Sequence, residues 1–539
     1  MLQPGLMMDR PLLLSSILEH AAGQFGDVEI VSRETHGPLH RYTYAQCAVR
    51  ARKLANALKQ LNLSQGDAVG SLAWNTHRHL ELYYAASGSG LIIHTCNPRL
   101  HVQQLIYIVN HAEDRVLFFD STFAGLIAAI APHCPKVEAW ICLTDRANLP
   151  QIPALANLQC YEELIEAQTD SFEWPQFEER SAAALCYTSG TTGNPKGALY
   201  SHRAMVLNAI TICMPGLLCL STRESVLLVV PMFHINGWCI PYGCLIAGAK
   251  LVLPGCRLDG PSLYELMESE KVTSSAGVPT VWLALLQHLD ANGLRLSSLQ
   301  RVVSGGSAVP TALIARFEAY GVEVRQGWGM TETVAVATIS SLQGKELELP
   351  PEQRRAIINK QGKSVFGVEI KVVDEHGNTL PRDGQSQGEV LIRGQWIVSD
   401  YYKSESSPLK DGWFPTGDIA TINSQGILQI RDRAKDLIKT GGEWISSLDL
   451  ENAACGHPAV AAAAVIGVKH PQWQERPLLF VVCKPGQELL REHMLEYLGT
   501  KVARWWVPDE VIFLDALPVG GTGKVQKTIL REKYGNVFD

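Results

Sequence analysis

The chain has 539 residues, of which 46% are hydrophobic and 19% charged, and its formal net charge is −7 with a pI near 6.2. This length allows two or more domains with sizeable cores, and the composition is typical of a globular protein. The acidic balance and the scattered basic residues give no indication of a nucleic-acid partner. Polar residues interrupt the most apolar region, 226–253, so we expect no membrane span. The thirteen cysteines include no C-x-x-C pair, which favours reduced thiols and a cytoplasmic protein.

The first third of the chain alternates between helix-like and strand-like segments. Thr43 and Gln46 predict a capping box at the start of a helix that continues through Leu61. Apolar runs predict strands at 68–74, 91–94, 116–119 and 137–143. This alternation predicts a parallel α/β sheet, in which ligands bind at the carboxyl ends of the strands.

A glycine- and hydroxyl-rich stretch, Tyr187–Gly197 (YTSGTTGNPKG), follows a predicted buried strand at 182–186. Glycines let a backbone approach a bulky ligand, and hydroxyl and N–H groups can surround phosphate oxygens. The stretch is not a Walker A loop, because that motif requires G-x-x-x-x-G-K-[ST]. An ordinary surface loop remains an alternative at this point, although the position after a strand favours a phosphate site.

Three apolar strands in the middle of the chain each end in a loop of small residues that carries one or two chemical groups. These loops are Pro231–Trp238, Ser304–Pro310 and Gln326–Thr333. Loops at the carboxyl ends of parallel strands lie along one edge of a sheet. We therefore expect these loops to converge on a single crevice at one sheet edge.

The predicted secondary structure changes from Gly388 onward, where short β-like runs and turn residues replace the longer α/β units. Asp432–Asp436 (DRAKD) is a charged stretch at which a second folded unit can begin. The segments beyond it predict a compact α+β unit of roughly a hundred residues, which is large enough to fold alone. We therefore divide the chain into an N-terminal domain, 1–434, and a C-terminal domain, 435–539.

Six motifs, spread in order over nearly the whole chain, resemble those of the adenylate-forming superfamily, which includes acyl-CoA synthetases, adenylation domains of peptide synthetases and luciferases. The motifs are Tyr187–Gly197, Gln326–Glu332, Thr416–Asp418, Asp432–Asp436, Gly441–Glu443 and Gly521–Lys524. The segments 111–116 (HAEDRV) and 442–447 (GEWISS) further resemble medium-chain acyl-CoA synthetases and 3-methylmercaptopropionyl-CoA ligases. The resemblance implies an α/β fold with a large N-terminal domain of parallel α/β sheets, a β-rich subdomain, and a small, mobile α+β C-terminal domain.

The resemblance implies that the N-terminal domain binds ATP and Mg²⁺. Thr188 and Glu332 resemble the Mg²⁺ ligands, which suits a hard cation that prefers oxygen. Trp328 stands where the family usually has a tyrosine over the adenine, Asp418 resembles the ribose-binding group, and Arg433 resembles a group that contacts the ribose or the phosphate. From the residues alone, a core tryptophan and a solvated turn carboxylate remain alternatives. The implied ATP and AMP contacts are Thr188, Ser189, Gly190, Thr191, Thr192, Gly193, Lys196, Gly306, Ser307, Gln326, Gly327, Trp328, Gly329, Met330, Thr331, Asp418 and Arg433.

The catalytic group implied by the resemblance is Lys524, accompanied by Glu332 and His234. Attack of a carboxylate on the α-phosphate brings two anions together, so the site needs fixed positive charge more than it needs a base. Lys524, on a glycine-rich turn, can supply that charge as a compact point charge. In the family the small domain rotates about a hinge that matches Lys435. The implied CoA contacts are Gly441, Gly442 and Trp444.

The acyl pocket implied by the resemblance contains His234, Trp238, Gly305 and Pro310. A hydrogen-bonded core histidine and a core tryptophan remain alternatives for the first two. An apolar pocket without a carboxylate disfavours amino-acid substrates. Trp238 either shortens the pocket or forms one wall of a longer tunnel, and the sequence does not separate these.

The reaction implied is ATP + carboxylic acid + CoA to acyl-CoA + AMP + pyrophosphate, through an acyl-adenylate. The implied acid is a short- or medium-chain fatty acid or 3-methylmercaptopropionate. Alternatives are an aryl- or cinnamate-type CoA ligase, an adenylating enzyme that loads a carrier protein, a luciferase-type oxygenase and a catalytically silent acid-binding protein. A homodimer is implied by family analogy alone.

Overall fold

The computed structural model describes residues 5–155, 157–188, 194–440, 443–520 and 525–538, with only the backbone of Glu443. Several predicted site residues lie outside these ranges: Ser189, Gly190, Thr191, Thr192, Gly193, Gly441, Gly442 and Lys524. None of the described helices is long and apolar enough to cross a bilayer.

The α-helices of the described residues are α1 Leu14–Gln24, α2 Tyr44–Gln60, α3 His77–Gly88, α4 Val102–Ala112, α5 Ala124–Ile130, α6 Tyr161–Glu166, α7 His202–Ile212, the single turn α8 Ile235–Trp238, α9 Ile240–Ala247, α10 Gly260–Ser269, α11 Pro279–Asn292, α12 Thr311–Ala319, α13 Pro351–Ile358, α14 Ser447–Cys455, α15 Arg491–Gly499 and α16 Lys527–Tyr534. The predicted capping box is confirmed at α2. The Thr43 side chain accepts a hydrogen bond from the Gln46 backbone, and the Gln46 side chain accepts one from the Thr43 backbone.

The strands of the described residues are β1 Glu29–Arg33, β2 Leu39–Thr43, β3 Ala68–Leu72, β4 Ile92–Thr95, β5 Val116–Phe119, β6 Ala139–Cys142, β7 Leu158–Cys160, β8 Ala182–Tyr187, β9 Gly197–Ser201, β10 Ser225–Leu228, β11 Lys250–Leu253, β12 Ser274–Gly277, β13 Arg301–Ser304, β14 Glu323–Trp328, β15 Thr338–Ser340, β16 Lys363–Ser364, β17 Val368–Val373, β18 Gly388–Gly394, β19 Phe414–Ile422, β20 Leu428–Arg433, β21 Ile438–Thr440, β22 Glu443–Ile445, β23 Val460–His470, β24 Gln474–Cys483 and β25 Glu510–Phe513.

Two sheets with parallel centres dominate the N-terminal part of the chain. One has the order β7-β6-β5-β3-β4-β8-β9 and is parallel except for the β8–β9 pair. The other has the order β16-β15-β14-β13-β12-β10-β11-β1-β2 and is parallel from β14 to β1. The expectation that the three mid-chain loops of small residues follow strands of one sheet is confirmed. Because β8 pairs with β4, its loop belongs to the first sheet, whereas the loops after β10, β13 and β14 belong to the second.

The largest hydrophobic core joins these two sheets. It contains side chains of β3, β4 and β8 from one sheet and of β10, β11 and β1 from the other, together with α1, α2, α3, α7 and α9. Parallel strands that are covered on both faces need nearly continuous apolar sequence, which is the pattern seen in these segments. This shared core fixes the loops of the two sheets relative to each other.

Two smaller sheets follow in the chain. The antiparallel sheet β17-β18-β19-β20 places Asp418 on β19 directly opposite Arg433 on β20. The C-terminal unit has the order β22-β21-β24-β23, with β25 parallel to β24, and it carries α14, α15 and α16. Its two apolar clusters include Leu479 and Phe480, which are adjacent on β24 and therefore face opposite sides of the sheet.

Candidate active site

A cavity of ≈1100 Å³ lies where loops of both parallel sheets meet the C-terminal unit. The predicted site residues that line it are Thr188, His234, Trp238, Gly306, Gly327, Trp328, Gly329, Met330, Thr331, Glu332, Arg433 and Lys435. The other described candidates do not line it, namely Lys196, Gly305, Ser307, Pro310, Gln326, Asp418 and Trp444. Loops from two sheets thus converge on one cavity.

Trp328, Asp418 and Arg433 form a hydrogen-bonded group at the wall of the cavity. The carboxylate of Asp418, a residue only 2% exposed, accepts a hydrogen bond on Oδ2 from Trp328 Nε1 at 3.1 Å. Its Oδ1 lies 2.9 Å from Arg433 Nε, and the Thr416 hydroxyl accepts a hydrogen bond from the Asp418 backbone N–H at 3.1 Å. The carboxylate is therefore held in one orientation.

Glu332 presents a buried carboxylate to the cavity. The residue is 5% exposed, and its Oε1 accepts a hydrogen bond from the Tyr401 hydroxyl at 2.6 Å. The loop itself is fixed, because Tyr200 donates to the Thr331 carbonyl at 2.6 Å and the Val398 backbone donates to the Glu332 carbonyl at 3.0 Å. Burial, followed by the charge of Glu332, raises the pKa of Tyr401 above its usual range, so the phenol remains a donor. An oxygen ligand is thereby held at the cavity surface.

The predicted phosphate loop connects two antiparallel strands, β8 and β9. Tyr187 on β8 pairs with Gly197 on β9. One residue further into the loop, the Thr188 N–H donates to the Lys196 carbonyl at 2.9 Å. The Thr188 hydroxyl accepts a hydrogen bond from the Lys196 backbone N–H at 3.1 Å. The Lys196 ammonium lies 4.8 Å from the centroid of the Tyr401 ring, which is within cation–π range. Thr188 and Lys196 thus sit together at the base of the loop.

A left-handed turn follows His234 and places Trp238 against the cavity. All five residues from Ile235 to Cys239 have φ between 39° and 60°. This conformation costs roughly 1–2 kcal/mol for each residue that is not glycine, so the surrounding core must hold it. Trp238 packs close to the backbone: a Cβ added to Gly305 would lie 3.2 Å from Trp238 Cη2. Further apolar residues that line the cavity are Ile212, Leu217, Leu218, Ile240, Val303 and Ile339.

Two glycines and one glutamine shape the loops after β13 and β14. A Cβ on Gly329 would lie 1.5 Å from the Ala335 carbonyl oxygen, and Gly306 has φ +80°, so both positions require glycine. Gln326 is buried, and among the described residues its Oε1 has no hydrogen-bond partner. An unpaired buried acceptor is costly.

The C-terminal unit contributes lysines to the cavity. Val519 and Val525 pair with each other and both line the cavity, whereas Lys524 is outside the described residues. Lys527, the first residue of α16, has its Nζ 2.7 Å from Glu451 Oε1 and 2.6 Å from Ser447 Oγ. Although burial opposes it, the charge of Glu451 raises the pKa of Lys527, and burial raises the pKa of Glu451.

The structure also describes Lys435, the predicted hinge residue, and Trp444, a predicted CoA contact. The Lys435 carbonyl accepts a hydrogen bond from Arg531 at 3.4 Å, and Arg531 also pairs with Asp436 at 2.6 Å. Trp444 is 48% exposed, with the Lys439 ammonium 5.4 Å from its ring centroid. Arg531 therefore fastens α16 to the predicted hinge segment.

Tyr401 and Lys527 are site residues that the motifs did not identify. The contact between Tyr401 and Glu332 spans 69 residues, and neither residue's surroundings in sequence indicate it. Lys527 lies only three positions after Lys524, and this proximity was the available signal. The role of Tyr401 becomes apparent only through its tertiary contact with Glu332.

The chain is similar to known proteins over nearly its whole length. The sequence profile of the AMP-binding enzyme family matches residues 18–402, and that of the AMP-binding enzyme C-terminal domain matches residues 449–524. The chain is 48% identical to a 3-methylmercaptopropionyl-CoA ligase of Ruegeria lacuscaerulensis, over 98% of both chains. It is also 48% identical to a medium-chain-fatty-acid–CoA ligase of Ectopseudomonas oleovorans, over 99% of this chain and 98% of the relative.

Similarity extends to solved structures. The anthranilate CoA ligase AuaEII in complex with anthranoyl-AMP matches with a TM-score of 0.87 at 26% identity, over 98% of both chains. The predicted fold class is confirmed: a large α/β part with parallel sheets precedes a small α+β C-terminal part. The boundary at 434/435 and the motion of the small part stay predictions.

Proposed function

Since this chain belongs to the AMP-binding enzyme family and is an AMP-forming acyl-CoA ligase, we propose that it activates a short- or medium-chain fatty acid or 3-methylmercaptopropionate. One observation carries the proposal. A single cavity joins a polar wall, formed by Trp328 and Arg433 with Asp418 bonded behind them, to an apolar lining that includes Trp238. A nucleotide and an apolar acid can therefore occupy adjacent parts of one site.

The first half-reaction is the attack of a carboxylate oxygen of the acid on the α-phosphorus of ATP. A P–O bond forms, the bond to the β-phosphate oxygen breaks, and pyrophosphate leaves with that electron pair. Carboxyl groups have pKa values of roughly 4–5, so the nucleophile is already ionised at neutral pH and no base is needed. In the proposal Lys524 supplies the positive charge that stabilises the transition state, and His234 lies beside the acid.

The nucleotide contacts follow from the polar wall. Trp328 covers the adenine, with Gln326 as a neighbour of the base, Asp418 binds the ribose hydroxyls, and Arg433 contacts the ribose or the phosphate. Lys196 contacts the departing phosphates. The remaining members of this proposed site are the residues of the Thr188–Gly193 loop, Gly306, Ser307, and Gly327 through Thr331.

Mg²⁺ fits the oxygen groups that the structure places at the cavity. The Thr188 hydroxyl and the Glu332 carboxylate are hard oxygen donors, and Mg²⁺ is usually held by one or two protein groups together with phosphates. When bound, Mg²⁺ neutralises charge on the triphosphate. We propose these two residues as its protein ligands.

The second half-reaction is the attack of the CoA thiol on the acyl-adenylate carbonyl. A C–S bond forms, the C–O bond to AMP breaks, and the thiol proton is released. We propose that the small domain, 435–539, rotates about Lys435 between the halves and brings Gly441, Gly442 and Trp444 to the CoA. We further propose a cytoplasmic enzyme that forms a homodimer, which fractionation and sedimentation would test.

The acid is proposed from the apolar lining and from the names of the relatives. The side chains around Trp238 include Ile240 and Val303, which favour an uncharged chain. According to their names, the two relatives act on 3-methylmercaptopropionate and on medium-chain fatty acids. Gly305 and Pro310 are proposed to complete the pocket beside His234.

The decisive experiment measures pyrophosphate release from ATP over a panel of acids, with and without CoA. The panel runs from propionate and 3-methylmercaptopropionate to decanoate, with cinnamate as the aryl competitor. We expect the highest kcat/KM for an unbranched acid within this range and acyl-CoA formation only when CoA is present. A preference for cinnamate, or turnover that needs a carrier protein in place of CoA, would overturn the proposal.

A further inference from the structure

Tyr401 contacts two charged groups that come from different sheets. Its hydroxyl donates to Glu332 Oε1 at 2.6 Å, and the Lys196 ammonium lies 4.8 Å from its ring centroid. Glu332 follows β14 in the nine-stranded sheet, whereas Lys196 precedes β9 in the seven-stranded sheet. One neutral side chain therefore contacts an anion from one sheet and a cation from the other.

The backbone on both sides of Tyr401 is tied to the same two elements. The Val398 N–H donates to the Glu332 carbonyl at 3.0 Å, and the Tyr402 N–H donates to the Gly197 carbonyl at 2.8 Å. Gly197 leaves room for this approach, since a Cβ there would lie 3.1 Å from the Cβ of Tyr402. The segment 398–402 is thus a bridge fastened at both ends, and Tyr401 is held in its contacts.

The chemistry of a tyrosine suits this position. Opposite charges attract strongly in a site of low dielectric, so an ammonium and a carboxylate brought together here would neutralise each other. The phenol hydroxyl satisfies one carboxylate oxygen and leaves lone pairs on the other for a cation. The ring face attracts the ammonium but carries no net charge, so Lys196 keeps its positive charge and its N–H donors.

We propose that Tyr401 is a positioning residue for the metal–triphosphate part of the substrate. Its hydroxyl orients Glu332 toward the divalent cation, and its ring holds Lys196 ready for the departing phosphates. The inference rests on the proposed function, in which Glu332 binds the metal and Lys196 binds phosphate. It adds a residue from the 398–402 bridge that connects the two roles.

The hydroxyl is tested with Tyr401→Phe, which keeps the ring. We measure Mn²⁺ binding by electron paramagnetic resonance to the full chain with a non-hydrolysable ATP analogue and without any acid. Mn²⁺ affinity should fall about tenfold, the loss expected for one hydrogen bond to a charged acceptor. Pyrophosphate affinity should stay within twofold of the unmodified protein, because the ring remains under Lys196. Tyr402→Phe is the matched control and should change neither quantity.

The ring is tested with Tyr401→Leu, which should in addition weaken pyrophosphate binding about threefold, as expected for an exposed cation–π contact. Tyr401→Met repeats the test if the leucine variant does not fold, and thermal melting identifies that case. Unchanged Mn²⁺ affinity in Tyr401→Phe, or an equal loss in Tyr402→Phe, would overturn the role of the hydroxyl. Equal pyrophosphate affinity in the phenylalanine and leucine variants would overturn the role of the ring.

These measurements are separable from the test of the proposed function. They use the metal, the nucleotide analogue and pyrophosphate, and they require no acid. If the acid panel gave no turnover while Tyr401→Phe weakened Mn²⁺ binding, the substrate proposal would fail and the positioning role would stand. The reverse pattern would remove the positioning role alone.

Discussion

The Trp328→Phe substitution keeps an aromatic face at the cavity and removes the indole N–H that donates to Asp418 Oδ2 at 3.1 Å. Asp418 is 2% exposed, so bulk water does not readily replace the lost donor. A hydrogen bond to a charged acceptor contributes about 1.5–3 kcal/mol. Because Arg433 still holds Oδ1 at 2.9 Å, we expect the lower end of that range. A loss of about 1.5 kcal/mol corresponds to roughly tenfold weaker ATP binding.

The assay pairs the ATP KM, taken from acid-dependent pyrophosphate release, with the ATP Kd from equilibrium titration. Trp174→Phe is a matched control, because its indole N–H donates to the Glu19 carboxylate at 2.7 Å and it lines a different surface depression. Asp418→Asn closes a double-mutant cycle. If the N–H···carboxylate bond carries the effect, the two losses are less than additive. Additive losses, or unchanged ATP affinity in Trp328→Phe, would refute the reasoning.

Three further substitutions test the hinge, the acyl pocket and the C-terminal unit. Lys435→Pro is expected to retain adenylation and to lose thioester formation, because a hinge residue must change its backbone angles; equal loss in both half-reactions would contradict this. Trp238→Ala should change the preferred acyl length, by about fourfold in kcat/KM per methylene newly accommodated, and an unaltered chain-length profile would exclude a wall role. Lys527→Met should destabilise the fold by about 3 kcal/mol at pH 8 in urea unfolding, since it leaves Glu451 buried without its cation. Burial raises the folded-state pKa of Glu451, so ionisation of this carboxyl costs folding stability as the pH rises through that pKa. The destabilisation caused by Lys527→Met should therefore become smaller as the pH is lowered toward 5. A destabilisation that does not depend on pH, or an equal one in the exposed Lys533→Met control, would contradict this prediction.

Local sequence patterns were sufficient for many of the elements. The apolar run at 182–186 became β8, and Thr43 with Gln46 capped α2, because these features depend on side-chain burial and on hydrogen bonds between near neighbours. The requirement for glycine at Gly329 is likewise visible as a motif position, although only the structure shows that the Ala335 carbonyl is the reason. Periodicity and capping are local, so the sequence expresses them directly.

Strand order is not local, and the sequence alone did not predict it. The four small-residue loops looked equivalent in sequence, yet one belongs to a different sheet from the other three because β8 pairs with β4. The left-handed turn 235–239 is equally hidden, since only Gly237 and, to a lesser degree, Asn236 favour positive φ and the surrounding core holds the other three residues. Packing of distant segments, which no short window contains, decided both features.

The sequence by itself determined the family, the fold class and the chemical groups available for the reaction, because motifs and hydrophobic periodicity involve residues that are close together in sequence. Only the tertiary structure decided how those groups are oriented. Trp328 donates to Asp418 across 90 residues, and Tyr401 donates to Glu332 across 69. Such contacts arise where a shared core brings the loops of separate sheets together, and their partners are set by three-dimensional proximity rather than by spacing.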